Sequence, residues 1–532
     1  MWDKFISSNL AVFAVILVAG FASYFPVLNG PFLFDDEFFI EKNKSVKEFK
    51  IKEIYTTGVT QGANVNGNFY RPNQQFAFAV ISKVFGQKPF VFHAFSILCH
   101  ALAAFLLFLF LAELTVSRNG SLIAAALFLL HPVQTEAVSY ISGLADPLSG
   151  IFLLSGLLFL VKGIKENAEL KWMLLSFLFF VFALFTKENM VVFLPLAVIV
   201  MLYFHFKQNA KQTKKVWLWL GLFVALDITY LVLKFTVFKF GDEAGLTSEK
   251  NLYTENLHIR IITFLNILPE YFSMFLFPKN LNYEKPYTAY TELLNAPVFI
   301  SFIAVSLFSF SIFIIKKQPA LFLGLAWFFA ALMPFIGIIP LNSIYLEHWL
   351  YIPGIGLLIL IAFAYEYAAS KKFTVAFTAV LIPVLLVFAV RTFSRNKEWA
   401  NIEKFYLNEL NYSQDAIRIY NNLGMFYAGK KQYSKAISYY QKAIKKWDNF
   451  PQPHHNIANI YLDMNRPEDA LNELYNALRI DPNFLYSLDK LQLVYSAYGR
   501  EDKAQVIRSW IGQIQQGGKI DFAQVDRLMR AK

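Results

Sequence analysis

The chain is poor in charge and in cysteine. Only 16% of its 532 residues are Asp, Glu, Lys or Arg, whereas 56% are hydrophobic and 57 are Phe. This balance excludes an ordinary soluble protein of this length and is typical of a protein that crosses a membrane many times. The single cysteine, Cys99, lies in an apolar run, which excludes an intramolecular disulfide. No glycine-rich phosphate loop, Ser/His/Asp order or zinc signature is present in the sequence.

Apolar runs long enough to span a bilayer recur as far as Arg391 and then stop. They predict about eleven spans, at residues 9–28, 90–112, 120–141, 147–162, 172–186, 190–206, 216–237, 297–315, 319–340, 349–369 and 373–391. No small-residue cleavage pattern follows the first run, so we interpret it as a retained span. The residues after Arg391 are expected to form a soluble domain.

The short loops between these spans alternate in basic content. Lys162, Lys207, Lys316 and Lys371 all fall on one side, and the positive-inside rule makes that side cytoplasmic. This distribution accounts for the net charge of +11 without nucleic-acid binding. The segment Leu257 to Pro278 is apolar enough for a twelfth span, but a crossing there would invert the later basic loops. We therefore predict an interfacial or re-entrant helix there, a cytoplasmic N-terminus and an exterior C-terminal domain.

The last part of the chain repeats with a period of 34 residues. Aromatic and small residues recur at this interval: Tyr427, Tyr461, Tyr495, Ala436, Ala470 and Ala504. This is the tetratricopeptide pattern, in which small residues let two antiparallel helices pack closely. The predicted fold is all-α, with the following parts: a polytopic membrane bundle at 1–392 whose outer loop is 29–89, a linker helix at 393–416, an α-solenoid of three repeats at 417–517, and a tail at 518–532. The concave face of such an array binds partner proteins.

Ionisable residues cluster at the predicted outer ends of the spans. These residues come from four separate regions of the chain, and we include one tyrosine that lies among them. The set is Asp35, Asp36, Arg71, His131, Glu136, Asp146, Lys187, Glu188, Glu347, His348 and Tyr351. Because a charge is costly to bury in a bilayer, such residues usually face water or a functional cavity. A carboxylate at the membrane edge can act as a base that removes a proton from a hydroxyl. Cations held in fixed positions can bind a phosphate group.

These residues also have purely structural interpretations. Lys187 and Glu188 fit a solvated turn between two helices. His131, which precedes a proline, fits a kink whose imidazole satisfies a freed carbonyl. Asp35 and Asp36 fit the water-facing end of a helix. The residues alone leave both kinds of interpretation open.

Taken together, these stretches resemble the transmembrane and tetratricopeptide repeat O-mannosyltransferase family, within the GT-C membrane glycosyltransferases. The matching stretches are Asp35-Asp36, Tyr70-Arg71-Pro72, the run from His131 to Asp146, Lys187-Glu188, Leu281-Asn282-Tyr283, Leu350-Tyr351-Ile352-Pro353 with Gly356, and Arg395-Asn396 with Trp399. The resemblance covers nearly the whole chain. Two positions depart from it, because His348 and Leu144 stand where relatives usually have arginine. A histidine in that place makes a cationic phosphate contact depend on pH.

The resemblance implies transfer of a sugar from a polyprenyl-phosphate carrier to an acceptor hydroxyl, expected to be a protein Ser or Thr, on the non-cytosolic face. Within that function we expect Asp36, or Asp35 beside it, to be the catalytic base. Arg71, Lys187 and His348 are then the expected phosphate contacts. For the other polar side chains we expect a role in orienting those cations or binding the substrate: Glu136, Asp146, Glu188, His131, Glu347 and Tyr351.

Two other functions stay open at this point. An enzyme of this type could glycosylate a lipid or a cell-envelope glycan instead, with the repeats recruiting other proteins. The bundle could also be a non-enzymatic anchor for the repeats, although an anchor needs one or two spans and no clustered carboxylates.

The sequence assigns no metal site and no cofactor, and it leaves the participation of a divalent cation open. Composition and the short array favour a bacterial inner membrane, and the expected partners are its lipids, a polyprenyl-phosphate-linked sugar and a protein acceptor.

Overall fold

The computed structural model describes residues 8–531 apart from 64–68, 209–213, 237–250, 284, 286–287, 342 and 414–415. Small parts of the predicted outer loop and of the predicted tail, 64–68 and 532, therefore lie outside the described residues. The described residues contain helices and no strand, so the predicted all-α class is confirmed. The chain divides into two compact units, Met1–Asn401 and Ile402–Lys532.

The first unit is a bundle of apolar helices. Within the described residues nine of them are long and apolar enough to cross a membrane: Asn9–Asn29, Pro89–Glu113, Ile141–Lys165, Glu188–Lys207, Lys214–Thr236, Leu257–Leu276, Ala296–Phe313, Pro353–Ser370 and Thr374–Trp399. A bent pair and two shorter apolar helices complete the set: Arg118–Leu130 with Pro132–Ser139, then Leu170–Leu184 and Pro319–Phe335. Each of the eleven predicted spans coincides with one of these elements.

Some predicted ends differ from the observed ones. The predicted span at 349–369 begins as a separate turn, Glu347–Leu350, and its α-helix starts only at Pro353. Proline favours this first helical position because its missing N–H is not needed there. The predicted linker helix at 393–416 is divided, since the last span continues to Trp399 and a new helix runs over Ile402–Tyr412. The segment between the first two spans carries short helices: Glu37–Glu41, Lys44–Lys47, Ile51–Thr56, Gln61–Ala63 and Pro72–Phe85.

The predicted basic loops meet at one end of the bundle. Arg118 donates to the side chain of Asn9 at 2.5 Å, which joins the starts of two spans. Lys165 and Glu113 form an ion pair of 2.6 Å, which joins the ends of two others. We call this the basic end; the candidate functional residues lie at the opposite end.

Helix Leu257–Leu276 contacts this opposite end at both of its own ends. Near its start, Arg260 donates to the carbonyl of Gly337 at 2.6 Å, at the outer end of the ninth predicted span. Near its end, the carbonyl of Phe275 accepts a hydrogen bond of 2.8 Å from His131, at the outer end of the third span. By length and hydropathy the helix could cross a membrane. These contacts instead favour the predicted interfacial or re-entrant helix.

The second unit is an array of antiparallel helix pairs. The first helix is Ile402–Tyr412, the three pairs are Ile417–Gly429 with Tyr433–Lys446, Pro451–Asp463 with Pro467–Ile480 and Leu485–Ala497 with Glu501–Gln515, and the last helix is Phe522–Arg530. The recurring alanines Ala436, Ala470 and Ala504 are fully buried, as close helix packing requires. The tetratricopeptide architecture is confirmed.

A close crossing of two spans generates a stability prediction. A Cβ atom on Gly356 would lie 2.5 Å from the carbonyl oxygen of Gly324 and 2.6 Å from the backbone nitrogen of Phe328. Small residues allow such close approach between membrane helices. We expect Gly356→Ala to destabilise the bundle by about 2 kcal/mol, because backbone atoms cannot move aside as a side chain can. The thermal unfolding midpoint in detergent should fall by several degrees.

The matched control is Gly221→Ala, which also lies in an apolar helix, Lys214–Thr236. No atom lies within 4 Å of a Cβ at this position. Its midpoint should stay the same or rise slightly, since alanine favours the helix by about 1 kcal/mol. Equal midpoints for the two variants would contradict the close crossing.

Candidate active site

The segment 131–146 forms the centre of the candidate site. A residue that precedes proline is held away from the helical conformation. His131 accordingly has an extended backbone, and the chain bends by 51° between Arg118–Leu130 and Pro132–Ser139. A second break follows at Tyr140, which is also extended. Non-helical backbone at membrane depth is tolerated only where it lies within protein or lines a cavity, and residues 131 to 142 are all buried.

The two predicted carboxylates have different environments. Asp36 is 1% exposed, and one of its carboxylate oxygens accepts the backbone N–H of Leu33 at 2.9 Å. The other oxygen accepts from Ser142, from the backbone N–H at 2.8 Å and from the hydroxyl at 2.5 Å. Asp35 is exposed, and its backbone N–H donates to the hydroxyl of Tyr140 at 3.0 Å. Asp36 therefore anchors the outer loop to the segment 131–146, whereas Asp35 is an exposed residue of the same loop.

Four aromatic side chains lie beside Asp35, and we call them the aromatic wall: Phe34, Tyr140, Tyr283 and Trp399. The rings of Phe34 and Tyr283 stack with centroids 4.4 Å apart. Tyr283 also contacts Tyr140 and Trp399 edge-on, at 5.9 Å and 6.2 Å. Phe34 has a φ of 49°, a conformation that costs free energy in a residue with a Cβ and is frequent at functional sites.

A buried ion cluster adjoins the aromatic wall in the chain: Arg395 lies one helical turn before Trp399, and Lys285 lies two residues after Tyr283. Arg395, 1% exposed, donates to the carboxylate of Glu347 at 2.8 Å and to the carbonyl of Leu281 at 2.5 Å. Lys285 lies 3.5 Å from the second carboxylate oxygen of Glu347. We call Arg395, Lys285 and Glu347 the Arg395 cluster. Glu347 is fully buried, so the two cations offset a charge that would otherwise be very costly.

Glu136 and His348 form a second pair at the edge of this cluster. One carboxylate oxygen of Glu136 lies 2.7 Å from Nδ1 of His348, and the other accepts the backbone N–H of His348 at 3.1 Å. Glu136 is buried, whereas the His348 side chain is 22% exposed. The pair therefore places a titratable ring, reachable by water, beside the Arg395 cluster.

A third group joins the other predicted residues. Lys187 binds Asp146 at 2.5 Å, and Arg71 binds Glu188 at 3.1 Å. Glu188 also accepts the backbone N–H of Tyr70 at 3.1 Å. Lys187 is only 5% exposed, which argues against the solvated-turn interpretation. We call the four side chains Lys187, Asp146, Arg71 and Glu188 the Lys187 cluster.

His131 and Tyr351 make their hydrogen bonds inside the bundle. Besides its bond to Phe275, His131 accepts the backbone N–H of Val133 at 3.2 Å through Nδ1. The Tyr351 hydroxyl lies 2.9 Å from Nδ1 of His100, and both side chains are fully buried. The hydrogen bonds of His131 are those expected if its imidazole satisfies a freed carbonyl at a kink. We therefore assign a structural role to His131 and to Tyr351.

None of the four side chains of the aromatic wall was among the predicted site residues, and neither were three polar participants: Lys285, Ser142 and Arg395. Arg395 lies in a stretch that resembles the family, Arg395-Asn396, and Lys285 lies close to another, Leu281-Asn282-Tyr283. The family resemblance could therefore have pointed to both residues. Ser142 carries no comparable signal, because serine in an apolar segment serves helix packing equally well. In the described part of the chain no three His, Cys, Asp or Glu side chains converge as metal ligands would.

Comparisons with known proteins agree with this architecture. Residues 72–233 match the family described as dolichyl-phosphate-mannose-protein mannosyltransferase, and residues 417–450 and 451–484 each match the tetratricopeptide repeat. Protein O-mannosyl-transferase TMTC3 of Homo sapiens is 22% identical over 521 residues, covering 90% of this chain and 56% of the relative. Protein O-mannosyl-transferase F38B6.6 of Caenorhabditis elegans is 24% identical over 468 residues, covering 85% of this chain and 65% of the relative.

The predicted resemblance to the transmembrane and tetratricopeptide repeat family is confirmed. The similarity extends through both units, since protein O-mannosyl-transferase TMTC4 of Homo sapiens is also 24% identical over 81% of this chain and 65% of its own length. The chain spans between half and two thirds of the length of these relatives.

The hydrogen bonds of Asp36 generate a prediction on pH. Burial raises the pKa of Asp36 to about 7, although the hydrogen bonds from Ser142 and Leu33 oppose this shift. A carboxyl whose pKa is higher in the folded than in the unfolded chain stabilises the fold at low pH, and this contribution is lost as pH rises towards the folded pKa. The loss amounts to at most about 4 kcal/mol between pH 4 and 7.

Asp36→Asn, which resembles the protonated acid, should therefore come close to the wild type in thermal midpoint at pH 4, near the unfolded pKa, and exceed it by a growing margin up to pH 8. The measurement is thermal unfolding in detergent across this range, comparing the two proteins at each pH. If the midpoint of the wild type instead rises relative to that of the variant as pH increases, the prediction is wrong. The hydrogen bonds from Ser142 and Leu33 would then affect the pKa of Asp36 more strongly than burial does.

Proposed function

We propose that this protein is a membrane glycosyltransferase that moves a sugar from a polyprenyl-phosphate donor to the hydroxyl of a protein. The observation that carries the proposal is the arrangement of Asp35, the aromatic wall and the Arg395 cluster. Asp35 is exposed and follows Phe34, whose ring stacks on Tyr283, while Arg395 donates to the carbonyl of Leu281, two residues before Tyr283. An acceptor hydroxyl needs a base, and a departing lipid phosphate needs positive charge, so groups suited to both requirements adjoin one aromatic surface.

In this mechanism Asp35 removes the proton from the acceptor hydroxyl. The acceptor oxygen forms a bond to the anomeric carbon, the bond from that carbon to the phosphate oxygen breaks, and the phosphate leaves with the electron pair. Asp35 then releases the proton to water. The lipid phosphate is already a weak base, so charge stabilisation matters more to it than protonation.

We assign the base to Asp35 rather than to Asp36. Both oxygens of Asp36 are occupied by three donors from Leu33 and Ser142, and the group is 1% exposed. A base must reach the proton that it removes, and Asp35 is the exposed member of the pair. Asp36 instead positions Asp35, because it fixes the loop that carries both residues.

For the phosphate contact we favour the Arg395 cluster with His348 over the Lys187 cluster. In the Lys187 cluster each of the two cations has its own carboxylate at 3.1 Å or less. The Arg395 cluster shares one carboxylate between two cations, and His348 adds a positive charge when it is protonated. Arg71 and Lys187 then hold the segment that follows Asp146, and Glu136 orients His348.

We further propose that the acceptor is a protein bound by the repeats, that the site lies on the non-cytosolic face, and that the membrane is a bacterial inner membrane. The basic end of the bundle supports this orientation, because lysine and arginine favour the cytoplasmic side. The relatives are named protein O-mannosyl-transferases, so mannose is the first sugar to test.

The experiment uses the purified full-length protein in lipid vesicles with labelled polyprenyl-phosphate mannose and a peptide rich in serine and threonine. Label should enter the peptide. Label that enters only the vesicle lipids would favour the alternative function, glycosylation of a lipid. Label in neither, for mannose and for other hexoses, would favour a non-enzymatic scaffold.

Within the same assay Asp35→Asn should lower the transfer rate by about a hundredfold or more, which is the usual contribution of a positioned base. Because Asp35 is exposed, the thermal midpoint should not change. The control is Glu37→Gln, which removes a carboxylate two residues away that pairs with Lys42 at 2.5 Å. Its rate should remain that of the wild type, and an active Asp35→Asn protein would refute the assignment.

The orientation is tested by single cysteines and a membrane-impermeant maleimide, since the native Cys99 is buried. Asn449→Cys lies in the repeats and Lys316→Cys at the basic end, and both positions are exposed. In intact cells the first should be labelled, and the second only after the membrane is permeabilised. The reverse pattern would place the proposed active site in the cytosol.

A further inference from the structure

Basic charge is concentrated in the first of the three repeats. Residues 417–450 contain seven Lys and Arg and a single Asp. The second repeat, 451–484, has the opposite balance, with two basic and five acidic residues. In the third, 485–518, four basic residues stand against three acidic ones. Packing alone does not require this segregation, because the lysines of the first repeat are at exposed positions.

Six lysines of the first repeat are exposed, and we call them the lysine face: Lys430, Lys431, Lys435, Lys442, Lys445 and Lys446. Helix Tyr433–Lys446 buries Ala436, Tyr440 and Ala443 on one side. At about 100° per residue, Lys435, Lys442 and Lys446 fall within about 40° of one another on a flank of this helix. Glu403 lies 3.9 Å and 3.8 Å from Lys430 and Lys435 and offsets part of the charge of these two.

Aromatic side chains accompany the lysine face. Trp447 follows the helix directly, is 39% exposed and stacks with Phe450 at 6.4 Å. The ammonium group of Lys442 lies 4.7 Å from the ring of Tyr439. Lysines with an exposed tryptophan beside them are typical of surfaces that lie on lipid headgroups, where the ring enters the interface and the cations meet anionic lipids.

The position of the first repeat in the chain points to the membrane as its partner. Seventeen residues separate Trp399, the end of the last span, from Ile417. Helix Ile402–Tyr412 takes up eleven of them, or about 16 Å, and six extended residues add at most about 20 Å. The first repeat therefore cannot leave the neighbourhood of the bilayer, which gives even a weak attraction a high effective concentration.

We infer that the lysine face binds anionic phospholipid headgroups and thereby holds the first repeat on the membrane surface. Each lysine near such a surface contributes about 1 kcal/mol, so several together suffice to fix the repeat. The acidic second repeat is repelled by the same surface, which directs the array away from the bilayer after its first helix pair. This inference does not depend on the proposed enzymatic function.

The test compares the full-length protein in nanodiscs of phosphatidylglycerol with the same protein in nanodiscs of phosphatidylcholine. The rate of lysine acetylation is measured by mass spectrometry at each position. Lys442, Lys445 and Lys446 should react about fivefold or more slowly in the anionic discs. Lys519, exposed at the far end of the array, should react equally in both. In about 1 M salt, where the Debye length is about 3 Å, the difference should disappear.

Two charge-reversal variants separate binding from folding. Lys442→Glu with Lys445→Glu should abolish the difference between the discs at Lys435 and Lys446, whereas Lys519→Glu with Arg527→Glu should preserve it. Lys503 is 5% exposed and donates to the carbonyl of Ala531, so its slow acetylation in every variant reports an intact array.

Equal rates in the two kinds of disc would overturn the inference. So would protection that appears only when a glutamate-rich peptide is added to phosphatidylcholine discs, because the lysine face would then serve an acidic protein. Loss of the difference in the Lys519→Glu, Arg527→Glu control would also contradict it, since net charge rather than this surface would be responsible.

Discussion

The membrane unit depends on satisfying one buried, broken stretch of backbone, the segment 131–146. Lipid offers no hydrogen bonds, so every polar group freed by the breaks at His131 and Tyr140 needs a partner from the protein. The partners come from distant elements: Ser142 binds Asp36, Glu136 binds His348, Thr135 and Ser139 bind Arg395 and Asn396, and Asp146 binds Lys187. The N–H of Ser142 is satisfied directly by Asp36, and the side chains of the segment bring further charged and polar groups to the candidate site.

Local periodicity made most of the fold predictable from the sequence. Hydropathy located the spans, because each is a continuous run that needs no partner to be recognised. The repeats were equally accessible, since Ala436, Ala470 and Ala504 recur at a constant interval and serve the same packing role in each pair. The exact ends of the helices were not predictable, because a helix such as Thr374–Trp399 continues past the apolar run that marks it.

The candidate site was only partly predictable. Charged residues near span ends could be named, and Glu136, Asp146, Lys187 and His348 do occur in ion pairs. The pairings themselves could not be predicted from the sequence. Arg395 and Thr135, for example, are 260 positions apart, and no local pattern links them. For the same reason the different environments of Asp35 and Asp36 became visible only when Ser142 was placed against one of them.

The Arg395 cluster also has a consequence for biosynthesis. Glu347 is made before Arg395, which lies near the end of the last span to emerge from the ribosome. Until that span inserts, a carboxylate destined for full burial lacks its strongest cation. Complete burial of Glu347 is therefore unfavourable until Arg395 is in place, so the last span must insert before this part of the bundle can close.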